Sequence, residues 1–298
     1  MQRNIWNSTN IIYQNCFFTD ITRNSTKHTP SHIPQSYRKM TLRTITITGA
    51  DDHVNPEDLA SLSEKYPFVE WGILLSETRK GTNRFPSSFW MERLKKYNDQ
   101  LRLSGHLCGR WLGDMMKTGT NSFKQENPDL WALFKRIQLN FLGNTTEYTQ
   151  DFLDSLSWSP RKQFIFQVNS FDNELLIKCK NSGLNVVPLF DLSHGGGITP
   201  SDWPSVTNRD YYGFAGGLGP SNLKEEIERI LSQNKDINFW VDMETNVRDN
   251  DNKFDLLKVE KCLDIAEEYI SRDNFTSSYL ETIVAEERIN DSIRPPKR

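Results

Sequence analysis

The chain has 298 residues, a formal net charge of −3 and a sequence pI near 6.0. This length fits one large α/β domain or two small ones, and a single barrel of about 250 residues would leave chain to spare. A near-balanced charge without a long basic run argues against nucleic acid or an anionic membrane as a partner. No apolar run reaches the roughly 18 residues of a membrane span, so a soluble globular protein is expected.

The cysteines are spaced as free thiols usually are. Cys16, Cys108, Cys179 and Cys262 lie far apart and form no Cys-x-x-Cys pair. Thiols without such pairing are typical of a reducing compartment, and we therefore expect a cytoplasmic protein.

The segment 1–39 differs in composition from the rest of the chain. It is rich in Asn, Ser and Thr, and Asp20 is its only acid. We interpret it as a disordered extension, with Met40 as the functional initiator, or as an organelle transit peptide, because such leaders contain few acids and many hydroxyl side chains. One folded domain is expected over 40–272, followed by a polar, mobile tail over 273–298.

Strand-like runs recur after Met40 and alternate with stretches that favour helix. The runs are Leu42–Thr48, Phe68–Ser76, Leu103–Cys108, Arg136–Phe141, Gln163–Val168, Leu184–Asp191, Tyr211–Ala215 and Ile237–Asp242. Helix starts are marked by a capping Asn55, by Ser87, by Thr149 and by the run Pro220-Ser221-Asn222, and apolar residues recur at helical spacing over 254–270. Strands that alternate with helices pair in parallel, so we predict a closed (β/α)8 barrel of the TIM-barrel class. A doubly wound open sheet is the alternative.

Polar side chains end most of the predicted strands, which in a barrel would place them on the functional face. They are Thr48, His106, Cys108, Gln138, Asn140, Gln167, Asn169, Asp191, Asp242 and Glu244. Residues two apart on a strand share a face, so several of these side chains are expected to line the mouth in pairs.

Two glycine patches lie where strands give way to loops. The first, Gly195–Gly197, follows Asp191, and the second contains Gly216 and Gly217. Backbone amides at glycine turns can close around a phosphate, because glycine permits positive φ and has no side chain in the way. Two such patches in succession beside an acid predict an anion site.

These motifs together resemble phosphoribosylanthranilate isomerase, a (β/α)8 enzyme of tryptophan biosynthesis. The similar segments are Thr46-Ile47-Thr48-Gly49, Asn55-Pro56-Glu57-Asp58, Gln138-Leu139-Asn140, Phe190-Asp191-Leu192-Ser193, Asp202-Trp203, Ala215–Asn222 and Val241–Arg248. The resemblance extends over about 44–270. It implies an isomerase that needs no cofactor and acts on a phosphorylated sugar derivative by acid–base chemistry.

The resemblance also implies catalytic roles. Asp191 would be the acid that protonates the ribose ring oxygen, and Thr48 takes the place of the basic cysteine of the family. A threonine hydroxyl is a poor base unless another group removes its proton. Asp51, Asp52 or His53 is close enough in sequence to replace that base.

The resemblance also implies which residues bind the ligand. They are Arg84, Gln138, Gly195, Gly196, Gly197, Gly216, Gly217 and Glu244. Glu244 puts a carboxylate in the third phosphate loop of the family, which is unfavourable unless Glu244 points away, the ligand differs or a metal intervenes. Arg84 stands where the family binds the anthranilate carboxylate.

Other functions compete with an isomerase or lyase. Without its base, the barrel could bind a phosphorylated small molecule and catalyse nothing. His106, Cys108 and His194 are candidate ligands in a metal-dependent enzyme. An unrelated activity on the same fold is the remaining alternative, and the sequence does not indicate an oligomeric state.

Overall fold

The structure is a computed structural model that describes residues 41–141, 148–193, 195–206, 211–234 and 237–270. The extension predicted over 1–39 and the tail predicted over 273–298 lie outside the described residues. None of the described helices is both long and apolar enough to cross a membrane.

Eight parallel strands close into a barrel in chain order. They are β1 (Thr41–Thr48), β2 (Val69–Leu75), β3 (Leu103–Leu107), β4 (Arg136–Leu139), β5 (Gln163–Val168), β6 (Val186–Asp191), β7 (Tyr211–Ala215) and β8 (Asn238–Met243). β1 pairs with β2 through Thr48 and Gly72, and with β8 through Thr46 and Asp242. The predicted (β/α)8 barrel is therefore confirmed, and the open-sheet alternative is wrong because the first and last strands pair with each other.

Helices connect the strands on the outside of the barrel. Those described are α1 (Pro56–Lys65), α2 (Ser88–Leu94), α3 (Arg110–Thr118), α4 (Ser122–Glu126), α5 (Pro128–Leu133), α6 (Gln150–Ser157), α7 (Glu174–Asn181), α8 (Leu223–Gln233) and α9 (Leu256–Glu267). A 3-10 helix over Lys95–Gln100 continues α2, and a second one over Thr245–Val247 follows β8.

Helices begin at the predicted positions, but one predicted capping bond is absent. The side chains of Ser87 and Thr149 accept hydrogen bonds from the amides of Trp90 and Phe152, each at 3.2 Å. Asn55 occupies the N-cap position of α1 but makes no capping bond. Its predicted cap is wrong because its Oδ1 instead accepts from Nη2 of Arg93 at 3.0 Å.

A buried polar layer lies in the barrel interior near the amino ends of the strands. Arg136 on β4 pairs with Glu70 on β2 at 2.8 Å, and Thr46 donates to the same carboxylate at 2.9 Å. The guanidinium of Arg136 also lies 4.3 Å from the ring centroid of Trp240. Polar groups at this end of a TIM barrel serve stability, since the carboxyl ends of the strands carry function.

Candidate active site

A cavity of about 1100 Å³ opens at the carboxyl ends of the strands. Nearly all of the predicted site residues line it. Those that do are Thr48, Arg84, Gln138, Asp191, Gly195, Gly197, Gly216, Gly217 and Glu244. Gly196 is not among the lining residues, and its amide donates to the carbonyl of Ser193 at 2.8 Å.

The Asp191 carboxylate lies at the end of β6 and is surrounded by donors. Its Oδ2 accepts from Nε2 of Gln167 at 2.7 Å and from the Gly195 amide at 3.3 Å. Its Oδ1 accepts from the amide and the hydroxyl of Ser193 at 2.8 and 2.9 Å. Both carboxylate oxygens of Asp191 thus accept hydrogen bonds from the protein.

Asp242 on β8 has the opposite surroundings. It is 5% exposed, and Thr48 donates to its Oδ1 at 2.7 Å. Burial raises the pKa of Asp242 well above its ordinary value of 3.8; the Thr48 hydrogen bond opposes this rise, and the charges of Glu244, Glu70 and Asp191 add to it. Burial of this kind favours the protonated form of the carboxyl group.

Asp191 and Asp242 lie at the same level of the sheet, with β7 between their strands. In the register of the sheet, Asp191 is paired with Ala215, and Ala215 is paired with Asp242. Two strand spacings put their Cα atoms roughly 10 Å apart. Ala215 has a small side chain and lines the cavity between them, so a ligand above it can contact both carboxyl groups.

Glu244 and Arg84 form an ion pair in the cavity wall. Nη1 of Arg84 lies 2.6 Å from Oε1 of Glu244, and both side chains are about one-fifth exposed. Burial raises the pKa of Glu244 and the charge of Arg84 opposes this rise. Arg84 also donates to Oδ1 of Asn252 at 3.2 Å from two of its nitrogens, which leaves it few free donors.

The acids that follow β1 bind other groups of the protein. Asp51 is 1% exposed, pairs with Arg248 at 2.6 Å and accepts from the Arg84 amide at 2.6 Å. Burial would raise the pKa of Asp51, but its hydrogen bonds from Arg84, Arg248 and His53 outweigh burial and lower it. Asp51, Asp52 and His53 do not line the cavity, so the structure brings none of these candidate bases to Thr48.

The loops after β6, β7 and β8 pack into one surface. The hydroxyl of Thr245 donates to the Gly195 carbonyl at 3.0 Å, and Nδ2 of Asn246 donates to the Gly217 carbonyl at 2.6 Å. A Cβ on Gly217 would lie 2.4 Å from the Thr199 amide, so only glycine allows this approach. Gly195, Gly197, Gly216 and Gly217 all have positive φ.

Neutral polar side chains form the wall made by β3 and β4. His106 is 1% exposed, and burial, with a smaller contribution from the charge of Arg136, lowers its pKa to about 3. Burial raises the pKa of Cys108 to about 12, opposed by the hydrogen bond that its sulfur accepts from Asn140 at 3.2 Å. These side chains therefore carry no charge in neutral solution.

The metal alternative has no geometric support in the described part of the chain. No three His, Cys, Asp or Glu side chains there are arranged to hold a metal ion. His106 and Cys108 both line the cavity, whereas His194 lies outside the described residues.

The sequence places Asp242 on the functional face of the barrel but indicates no catalytic or binding role for it. Its position two residues before Glu244 indicates a shared face, because alternate residues of a strand point the same way. Its protonation depends on burial and on a contact with Thr48, which lies 194 residues earlier in the chain.

The fold and this cavity define an α/β barrel with an acidic site at the carboxyl ends of its strands. No protein-family model and no curated protein matches the chain. Among solved structures, it is similar to the phosphoribosylanthranilate isomerases of Thermus thermophilus (14% identity, TM-score 0.47) and Pyrococcus furiosus (14%, 0.46), covering 76% of this chain and 98% of each of those. It is also similar to a DUF72 family protein of Enterococcus faecalis (12%, 0.38), covering 76% of this chain and 97% of that one. Similarity at this level assigns no family or activity.

Proposed function

We propose that this protein is an isomerase or lyase that acts on a phosphorylated, sugar-derived small molecule by acid–base chemistry. The observation that carries the proposal is the pair of carboxyl groups, Asp191 and Asp242, on either side of Ala215. Asp191 is surrounded by hydrogen-bond donors, whereas Asp242 is buried and its pKa is raised. We infer that this pair supplies a base and an acid in one cavity.

The hydrogen bonds suggest how the roles divide. Asp242, whose burial favours the protonated form, is the proposed donor of a proton to an oxygen of the ligand. Asp191 is the proposed base that removes a proton from a neighbouring carbon. The resemblance instead implies that Asp191 is the acid, so the two assignments differ in which aspartate donates the proton.

Thr48 acts in this proposal as a positioning residue. Its hydroxyl donates to Oδ1 of Asp242, which fixes the carboxyl rotamer. The proton of Asp242 is then carried by its other oxygen, Oδ2, from which it can be donated to the ligand. A hydroxyl in this position need not act as a base.

The glycine loops supply the proposed phosphate site. Within the described residues, the amides of Gly197 and Gly217 have no protein acceptor. Amides presented by turns at positive φ form concave anion sites. The sequence places the Glu244 carboxylate in a phosphate loop, where it would repel the anion. The ion pair with Arg84 offsets this negative charge.

The test is proton exchange with solvent. The protein is incubated in D2O with a panel of aldose phosphates, ketose phosphates and N-phosphoribosyl amines, and proton NMR follows deuterium incorporation next to the carbonyl or imine carbon. We expect exchange into at least one compound. Asp191→Asn and Asp242→Asn should each slow it about 10²-fold or more, because each removes one partner of the proton transfer.

Asp129→Asn is the control, since Asp129 is an exposed acid in the first turn of α5. It should leave the exchange rate unchanged. Binding of phosphorylated compounds without exchange into any of them would contradict the acid–base proposal and favour the non-catalytic alternative.

A further inference from the structure

Two residues that line the cavity each carry a buried polar atom without a partner. His106 Nε2 and Gln138 Oε1 have no hydrogen-bond partner among the described residues. Both residues line the cavity, and they are directly paired on β3 and β4. Because leaving a buried polar atom unsatisfied costs free energy, such atoms in the wall of a cavity indicate a polar group of a ligand.

The wall around these atoms is uncharged. The buried imidazole of His106 is neutral at physiological pH, since its pKa is about 3. Gln138 donates through Nε2 to Oδ1 of Asn140, which leaves its Oε1 as an acceptor. A neutral imidazole nitrogen next to an amide oxygen matches a hydroxyl, which both donates and accepts.

The cations of the cavity are poorly placed for a carboxylate on the ligand. Arg84 is paired with Glu244 at 2.6 Å, so its charge is already balanced. Arg79 also lines the cavity, but it is exposed, and its guanidinium lies 5.2 Å from the centroid of the Phe85 ring. A ligand carboxylate near β8 would instead face Glu244.

We infer that the part of the ligand beyond its phosphate is a neutral polyhydroxylated chain, recognised by His106 and Gln138, and not an aromatic or other carboxylate. The inference rests on the proposed phosphate site at the glycine loops and specifies its substrate class. It departs from the carboxylate ligand that the resemblance implies for Arg84.

Two probes of equal length test it. Sorbitol 6-phosphate and 6-phosphogluconate share a phosphate and a six-carbon chain, and differ at the far end in a hydroxymethyl group or a carboxylate. Calorimetric titration of the full chain should show sorbitol 6-phosphate binding about tenfold more tightly or better, since like charges across a binding surface are strongly unfavourable. Inorganic phosphate is titrated as the reference.

Variants separate the two contacts. His106→Phe and Gln138→Leu should each weaken sorbitol 6-phosphate about threefold to tenfold, as expected for one lost hydrogen bond, and leave inorganic phosphate unchanged. Glu244→Gln should bring 6-phosphogluconate to within about threefold of sorbitol 6-phosphate, because it removes a negative charge and frees Arg84. Thermal unfolding of each variant establishes that it is folded. If either His106→Phe or Gln138→Leu fails to fold, the other variant still tests the hydroxyl contact.

The outcomes distinguish this inference from the proposed function. If neither inorganic phosphate nor sorbitol 6-phosphate binds, the phosphate site itself is wrong and both proposals fail. If phosphate binds but 6-phosphogluconate binds as tightly as sorbitol 6-phosphate or more tightly, the neutral-chain inference is contradicted and the phosphate site stands.

Discussion

At the scale of single residues, Asp242 connects stability with function. Its carboxyl group is buried and its pKa is raised, so folding favours the protonated form. The stabilising effect of this proton is complete below the unfolded pKa of about 3.8 and is lost as the pH rises through the raised folded pKa. The folded protein retains an acid that it would be more stable without, as functional sites often do.

Asp242→Asn should therefore be more stable than the wild type at neutral pH. The amide can still accept from Thr48 but cannot ionise, so the difference in Tm between variant and wild type should grow as the pH rises from 4 to 8. Thermal unfolding across this range measures it. A difference that is constant with pH, as we expect for Asp129→Asn, would contradict the raised pKa.

Asp51 should be needed for folding stability and not for proton transfer. Asp51→Ala leaves the Arg248 guanidinium, 1% exposed, without its carboxylate. Removing one partner of a buried pair costs about 3–5 kcal/mol, so we expect a loss of this size in the free energy of unfolding. Urea denaturation measures it, with Glu64→Ala as the control because Glu64 is an exposed acid on α1. A loss below about 1 kcal/mol would contradict the structural role.

The sequence predicted part of the site at this scale. Asp191 and the glycine loops could be found because each lies within a few residues of a strand end. The Arg84–Glu244 pair could not, since its partners lie 160 residues apart and meet only through barrel closure. Arg84 also has a φ of +76°, which local propensity does not anticipate, and a bond from its amide to Asp51 holds it there.

At the scale of elements, the strands were more predictable than the helices. β5 and β7 have the predicted bounds, because their runs are apolar and turn residues end them. Helices α4 and α5 have 5 and 6 residues, too few to establish a helical period, and the N-cap position of α3 is Gly109, which has no side chain to cap it. α7 was also missed, although Asn173 caps it.

Glycines in a strand and in a helix should respond oppositely to alanine. A Cβ on Gly213 in β7 would lie 2.3 Å from the Trp240 ring, so Gly213→Ala should destabilise the barrel by about 1–3 kcal/mol or more through overpacking. A Cβ on Gly113 in α3 meets nothing within 4 Å. Gly113→Ala should stabilise by about 0.5–1 kcal/mol, as alanine restricts the unfolded chain.

Urea denaturation of both variants tests this pair, each serving as control for the other. Equal effects of the two substitutions would contradict the packing of β7 against β8.

At the scale of the whole molecule, barrel closure creates the site. Residues of β1, β6 and β8 meet at one cavity because β8 returns to pair with β1. The same closure brings together the loops after β6, β7 and β8, which are held by contacts such as the one between Thr245 and Gly195. The proposed phosphate site is thus a property of three loops that no single motif contains.

The most direct measurement is the affinity for phosphate of the wild type and of a variant with a carboxylate in these loops. Gly195 and Gly183 have φ of +81° and +73°, and a Cβ on either meets nothing closer than 3.6 Å. Gly195→Asp places the charge in the cavity, whereas Gly183→Asp places it in the turn after α7 and serves as the matched control. Calorimetric titration with inorganic phosphate should show binding to the wild type and to Gly183→Asp, and none to Gly195→Asp. Equal binding by all three proteins, or by none, would contradict a phosphate site at the glycine loops.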